Sequence, residues 1–189
     1  MLTRTILTVI IVLLGQASVN AADQHVDPEL KYYLQKAASE SYSFKDRFDA
    51  TVWLTDMSTR LKRRVPDPKM RIKILKLVHH EARRVRVEPE LVLAIIEVES
   101  NFNSFAVSRV GAVGLMQVMP FWVKEIGKPK DNLFRISTNL RYGCTILRFY
   151  LDKEKGNQTR ALARYNGSVG KWKYPSKVYK ALRKRWFRQ

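Results

Sequence analysis

From Lys69 onward, apolar and polar positions recur at helical spacing, and no stretch alternates as a strand would. Between Met70 and Arg86, Ile74, Leu75, Leu77, Val78 and Ala82 stand against many basic residues, which predicts an amphipathic helix. Pro89 suits the first turn of the next helix, where a missing N–H costs nothing. Leu91 to Ile96 is apolar on every side, so that helix must run through the core. Further helices are predicted over 118–126, 136–154, 158–165 and 174–187, with Gly156 and Asn157 tolerating the left-handed turn that ends one of them. Upstream, residues 23–68 carry Tyr32, Tyr33, Phe44, Phe48, Val52, Trp53 and Leu54 without clean periodicity. Val65-Pro66-Asp67-Pro68 then breaks the chain, because proline disfavours helix in the residue before it. The pattern predicts an all-α protein, with an N-terminal segment over 23–68 and the main domain over 69–189.

Residues 1–22 follow a different pattern. Arg4 precedes an apolar run from Ile6 to Leu14, and Val19-Asn20-Ala21 offers small residues for cleavage, the layout of a secretory signal. The run is shorter than the ~20 residues a spanning helix needs. Gln16 stands where a lipoprotein would carry its acylated cysteine, so the expected product is exported or periplasmic and not lipid-anchored.

Composition adds two constraints. An apolar content of 46% over 189 residues can fill a core without disulfides, and the single cysteine, Cys144, reads as a small buried apolar residue. His79-His80-Glu81 lacks the second histidine of a zinc-protease helix and reads as helix surface, so no metal is expected. The formal net charge of +18 is concentrated at Arg60-Leu61-Lys62-Arg63-Arg64 and from Arg183 to Arg188. In an exported chain this favours anionic envelope polymers or lipid headgroups over nucleic acid, and it is equally compatible with a merely soluble surface.

The candidate chemistry lies where the apolar helix ends. Glu97 and Glu99 project roughly 200° apart on a helix, so they cannot share one site. Glu99 stands last before a glycine-punctuated loop. Apolar surroundings and the negative helix end both favour its neutral form, which is what a general acid requires. The alternative is a capped structural glutamate. Gly111 and Gly114 permit sharp turns or close backbone approach, and the Gln117 amide can both donate to and accept from sugar hydroxyls or N-acetyl groups. Neither Glu125 nor Asp131 is fixed in position as a second carboxylate.

The run from Glu99-Ser100 through Phe105, Ala106, Ser108, Gly111-Ala112 and Gly114-Leu115-Met116-Gln117 to Met119-Pro120 resembles the signature of soluble-lytic-type lytic transglycosylases, glycoside hydrolase family 23. Ala161-Leu162-Ala163-Arg164-Tyr165-Asn166-Gly167 resembles the family's alanine-rich helix ending in Tyr-Asn-Gly. Tyr174 to Val178 and Asn139 to Gly143 resemble two further elements, and the likeness covers about residues 70–187. Ser104 and Arg164 depart from the proline and the small residue common at those places.

The resemblance implies a lysozyme-like helical domain with Glu99 as the sole catalytic acid/base. Ser108, Gly114, Gln117, Met119, Tyr165 and Asn166 would bind substrate. It implies cleavage of the β-1,4 bond between N-acetylmuramic acid and N-acetylglucosamine in peptidoglycan, leaving a 1,6-anhydro end, with no cofactor. A hydrolytic muramidase and a noncatalytic peptidoglycan-binding assembly factor are the alternatives. Expected partners are glycan strands and, for a dedicated wall-opening enzyme, a secretion, conjugation or other envelope-spanning complex, with no nucleic acid.

Overall fold

A computed structural model describes residues 43–187, and the leader-like segment 1–22 lies outside the described residues. Seven α-helices follow one another among them: α1 (Arg47–Leu61), α2 (Pro68–Arg84), α3 (Pro89–Ser100), α4 (Phe121–Ile126), α5 (Ile136–Lys153), α6 (Gln158–Tyr165) and α7 (Lys173–Ala181), closed by a π-helical turn (Leu182–Trp186). The only β pairing among the described residues is two isolated bridges in the loop after α3, Val107 with Val113 and Val113 with Val118.

Helix α3 is the axis of the fold. Leu91 to Ile96 are all buried, as an all-apolar sequence requires, with α2, α7 and the π turn packed around it. Pro89 occupies the first turn, and Asn101 ends the helix in the left-handed region at φ 48°. Helix α5 ends before Gly156 at φ +82°, and Asn157 then caps α6 by accepting from the Arg160 N–H at 3.0 Å.

Helix α1 corrects the sequence-based boundary. Ala50, Trp53, Leu54, Met57 and Leu61 form one helical face and join the same core as α2 and α3. Exposed Phe48 and Val52 on the opposite side obscure that periodicity in the sequence. The proline-rich break is a corner between packed helices. Buried Arg71 staples it by donating to Ser58 Oγ and to the Val65 and Pro66 carbonyls at 2.8, 2.8 and 3.1 Å. At least the part of segment 23–68 from Phe44 to Val65 therefore belongs to the domain.

His79 also departs from the expected helix surface. It is buried, stacked on Phe44 with ring centroids 3.5 Å apart, and bonded to Ser43 Oγ at 2.9 Å. Burial first, then the neighbouring Arg83 charge, pushes its imidazole down to about 4, so it is neutral near pH 7. Cys144 is buried as expected.

The predicted helix over 174–187 is interrupted. The Phe187 N–H reaches back to the Leu182 carbonyl at 2.8 Å, and the widened turn carries Trp186 fully into the core. The predicted helix over 118–126 starts later, because Val118 is held in the loop by reciprocal bonds with Val113 at 3.0 Å.

That loop is fastened to α5. Buried Asn139 accepts from the Met116 N–H at 2.8 Å and donates to the Val113 and Leu133 carbonyls at 2.8 and 2.9 Å. One turn further on, a Cβ at Gly143 would lie 2.3 Å from Met116 Sδ and 2.7 Å from its Cβ. Because the Cβ is involved, no rotamer of Met116 clears the clash. Gly143→Ala is therefore expected to lose about 1–2 kcal/mol, overpacking outweighing the gain in helix propensity, and a urea midpoint reads it directly.

Candidate active site

The two glutamates at the end of α3 have opposite fates. Glu97 accepts from Arg64 at 3.1 Å, Arg185 Nε at 2.7 Å and Trp186 Nε1 at 2.8 Å, so its carboxylate ties α1 and the chain end to α3. Glu99 faces another way. It lines a hollow of about 250 Å³ with Val98, Asn166, Ser168, Tyr174 and three lysines, Lys171, Lys173 and Lys177. Tyr174 Oη donates to Glu99 Oε1 at 2.6 Å.

Burial lifts the Glu99 carboxyl from its ordinary value near 4.5 to about 7, and the Tyr174 hydrogen bond offsets part of that rise by favouring the charged form. A large fraction of the side chain is thus protonated at neutral pH, while the remainder is ionised. A group that can give a proton and take one back is the working requirement for an acid/base catalyst. Tyr174 is itself held neutral, with its phenol pushed well above the ordinary value by burial and by the Glu99 charge. Tyr174→Phe removes the bond that favours the carboxylate. The alkaline limb of any Glu99-dependent rate profile should then move up by about one pH unit, measurable from kcat against pH.

Asn166 lies at the end of α6 and exposes its amide beside Glu99. Tyr165 is near enough for the Glu99 charge to act on its phenol, and its hydroxyl donates to the Met116 carbonyl at 2.8 Å. The other sequence candidates build the loop instead. Gly114 is buried at φ +77°, and a Cβ there would lie 2.4 Å from Asn139 Nδ2, so the position is closely packed. Gln117 sits at φ 48° and spends its amide N–H groups on the Ala106 and Gly114 carbonyls at 3.2 and 3.0 Å. Ser108 Oγ accepts from the Ala112 N–H at 2.9 Å, and Met119 is half-buried just before α4. None of these four lines the hollow of Glu99.

No second carboxylate among the described residues lines that hollow. Asp131 lines a separate, larger and mostly apolar hollow of about 750 Å³ with Val113, Val123 and Phe134. There it accepts from Tyr142 at 2.6 Å, the Lys128 N–H at 3.2 Å and Arg141 at 3.0 Å, which hold its carboxyl below the usual range. Arg164, which stands where a small residue is common, pairs with Glu154. No group of three or more His, Cys, Asp or Glu among the described residues is placed to hold a metal ion.

Tyr174 is the candidate site residue that the sequence alone did not assign. Its motif was visible, but its bond to Glu99 spans 75 positions and has no local signal.

Among the described residues, a single buried, protonable carboxyl thus lies in a small hollow on an all-α frame. The chain belongs to the transglycosylase SLT domain family, whose model matches residues 76–187. It is 36% identical over 103 residues to a transglycosylase of Enterobacteria phage PRD1, covering 51% of this chain and 38% of that protein. Identity to the membrane-bound lytic murein transglycosylase C of Yersinia pestis (strain Pestoides F) is 37% over 114 residues, 52% of this chain and 32% of that protein. A shorter match to the protein of that name from Actinobacillus pleuropneumoniae serotype 5b (strain L20) reaches 56% over 46 residues, 24% of this chain and 13% of the relative. The chain thus spans between about an eighth and two fifths of the length of these relatives.

Proposed function

We propose that this protein is a peptidoglycan lytic transglycosylase in which Glu99 serves as both acid and base. The observation that carries this reading is a carboxyl at about 7 in a hollow where no other carboxylate among the described residues lies. Glycosidases that use an enzymic nucleophile or base need a second carboxylate within about 10 Å of the first. With one, the substrate must supply the rest.

Protonated Glu99 donates to O4, the oxygen that bridges N-acetylmuramic acid C1 and N-acetylglucosamine C4, and the C1–O4 bond breaks. The 2-acetamido oxygen of the muramyl sugar stabilises the positive charge developing at C1. Ionised Glu99 then takes the proton from the C6 hydroxyl as its oxygen bonds to C1. The ring closes as a 1,6-anhydro end and Glu99 is again protonated, with no water consumed. Intramolecular attack by a hydroxyl held on the same sugar has an entropic advantage over free water. Tyr174 positions the Glu99 carboxyl, Asn166 offers its amide to substrate at the rim, and the loop built by Ser108, Gly114 and Gln117 carries the Met116 carbonyl that holds Tyr165.

The substrate places the protein outside the cytoplasm, in agreement with the leader-like pattern of residues 1–22. No helix among the described residues is long and apolar enough to cross a membrane. Cleavage of this kind would serve local opening of the wall for an envelope-spanning assembly as well as general turnover.

Digestion of purified sacculi followed by mass analysis of the released muropeptides tests the reaction. Products lighter by one water than their hydrolytic counterparts are expected. Reducing muramic ends would overturn the anhydro route in favour of a muramidase. Absence of soluble products would leave a noncatalytic glycan-binding protein.

A further inference from the structure

The two basic runs, which the acid/base site leaves unused, meet in space. Arg60, Arg63 and Arg64 at the end of α1 line one hollow of about 540 Å³ with Asn101 and with Lys184 and Arg185 of the π-helical turn. This hollow shares no lining residue with that of Glu99. Among the described residues, two carboxylates answer its five cations. Asp56 pairs with Arg60, and Glu97 pairs with both Arg64 and Arg185. Arg60 also donates to the Arg185 and Phe187 carbonyls at 2.9 and 3.2 Å, and Arg64 to Asn101 Oδ1 at 2.9 Å. These bonds fix three guanidinium groups before any ligand arrives. Arg63 and Lys184 are exposed and form no ion pair among the described residues.

Apolar side chains stand near these cations. Phe187 directly follows the π-helical turn and is exposed, and Phe48 and Val52 are exposed on the outer side of α1. By helical geometry Phe48, Val52, Thr55 and Thr59 share a stripe about 60° wide, and none of them is charged. The stripe runs toward the end of the helix that carries Arg63. A soluble polyanion would call for the cations alone. Cations beside exposed apolar groups match the boundary of a bilayer, where phosphates lie over hydrocarbon. Guanidinium groups suit phosphate because their planar forks give paired hydrogen bonds.

We infer that the outer face of α1 and the basic hollow at its end dock this protein on anionic phospholipid. Lipid phosphates occupy the hollow, and Phe48, Val52 and Phe187 enter the headgroup boundary. Glu97 holds the cations of the hollow while Glu99 faces another way, so the docked molecule keeps the Glu99 hollow free. Docking does not depend on the glycan-cleaving reading.

The test measures partition of the full chain onto vesicles of mixed phosphatidylglycerol and phosphatidylcholine, and onto phosphatidylcholine alone. The wild type is expected to prefer the anionic vesicles, less so as salt rises. Each surface cation contributes about fivefold on an anionic bilayer, so Arg63→Gln/Lys184→Gln should lose about 30-fold. Phe48→Ser leaves the charge unchanged and should lose about tenfold, through apolar area no longer buried. The control Lys73→Gln/Lys130→Gln removes two exposed lysines outside the hollow and should lose less than about threefold. Every variant carries the same residues 1–42, so any contribution from that segment cancels. Unchanged thermal midpoints confirm that each variant is folded.

Equal binding of the wild type to the two vesicle types overturns the inference, as do equal losses in the hollow variant and the lysine control. Tight capture of soluble polyphosphate, with vesicle binding unaffected by Phe48→Ser, would make the hollow a site for a soluble polyanion and would also overturn it.

Discussion

Glu99→Gln is expected to reduce glycan cleavage on the order of 10³- to 10⁴-fold, the upper end of what a positioned acid/base contributes, because one carboxyl carries both proton transfers. Glutamine keeps the size of the side chain and can still accept from Tyr174, so the fold should remain. The same substitution should change stability in a pH-dependent way. The folded protein holds the Glu99 proton up to about 7, whereas the unfolded chain releases it near 4.5. The stabilisation linked to that proton is fully present below about pH 4.5. It is lost as pH rises through 7 and does not change further above that. At about 1.4 kcal/mol per pH unit, the loss amounts to about 3 kcal/mol. Glutamine does not ionise. Urea unfolding should therefore find variant and wild type nearly equal at pH 4, and the variant more stable by about 3 kcal/mol at pH 8. An inactive variant without that stability difference would mean that Glu99 is ionised in the native protein and cannot be the resting acid.

The second large effect lies away from the carboxyl. Asn139→Leu should lower stability by about 2–5 kcal/mol. The Met116 N–H and the Leu133 carbonyl lose the side-chain partner that now satisfies them in a buried setting, at about 1–3 kcal/mol each. The Val113 carbonyl is less exposed to this loss because it also accepts from the Val118 N–H. Activity should fall as well. Met116 is where the Tyr165 hydroxyl is held, so loosening the loop disturbs the wall beside Glu99. Denaturant unfolding measures the first effect. A loss below about 1 kcal/mol would show that the loop is held mainly by the packing of Leu115 and Met116.

The elements most readable in the sequence were those whose cause is local. An apolar run on every side of α3 can only be a core helix, and Pro89 and Gly156 mark ends through their own backbone preferences. The opposite directions of Glu97 and Glu99 follow from helix geometry, and the structure pairs the first with two arginines and a tryptophan. Helix α1 was hidden because Phe48 and Val52 are exposed apolar residues on its outer side, which a pattern of hydrophobicity cannot distinguish from buried ones.

Candidate site residues were less legible, for a related reason. Gln117 and Ser108 look like ligands for sugar hydroxyls until the neighbouring backbone shows which of their hydrogen-bonding groups are already taken. Gly114 looks like room for substrate, but Asn139 arrives from α5 to occupy it. The Tyr174–Glu99 bond and the convergence of the two basic runs, with Arg60, Arg63 and Arg64 meeting Lys184 and Arg185 around one hollow, are products of tertiary packing. Identity of the residue types was visible; what each one touches was not.

The claim on which the mechanism turns is that Glu99 keeps its proton on about half of the molecules near neutrality, far above an ordinary carboxylate. Carbon-13 NMR titration of the glutamate side-chain carboxyls, with the Glu99 resonance assigned by its absence in Glu99→Gln, measures this directly. A midpoint near 7 is the expected result. A midpoint near 4.5, the ordinary carboxylate value, would contradict the account.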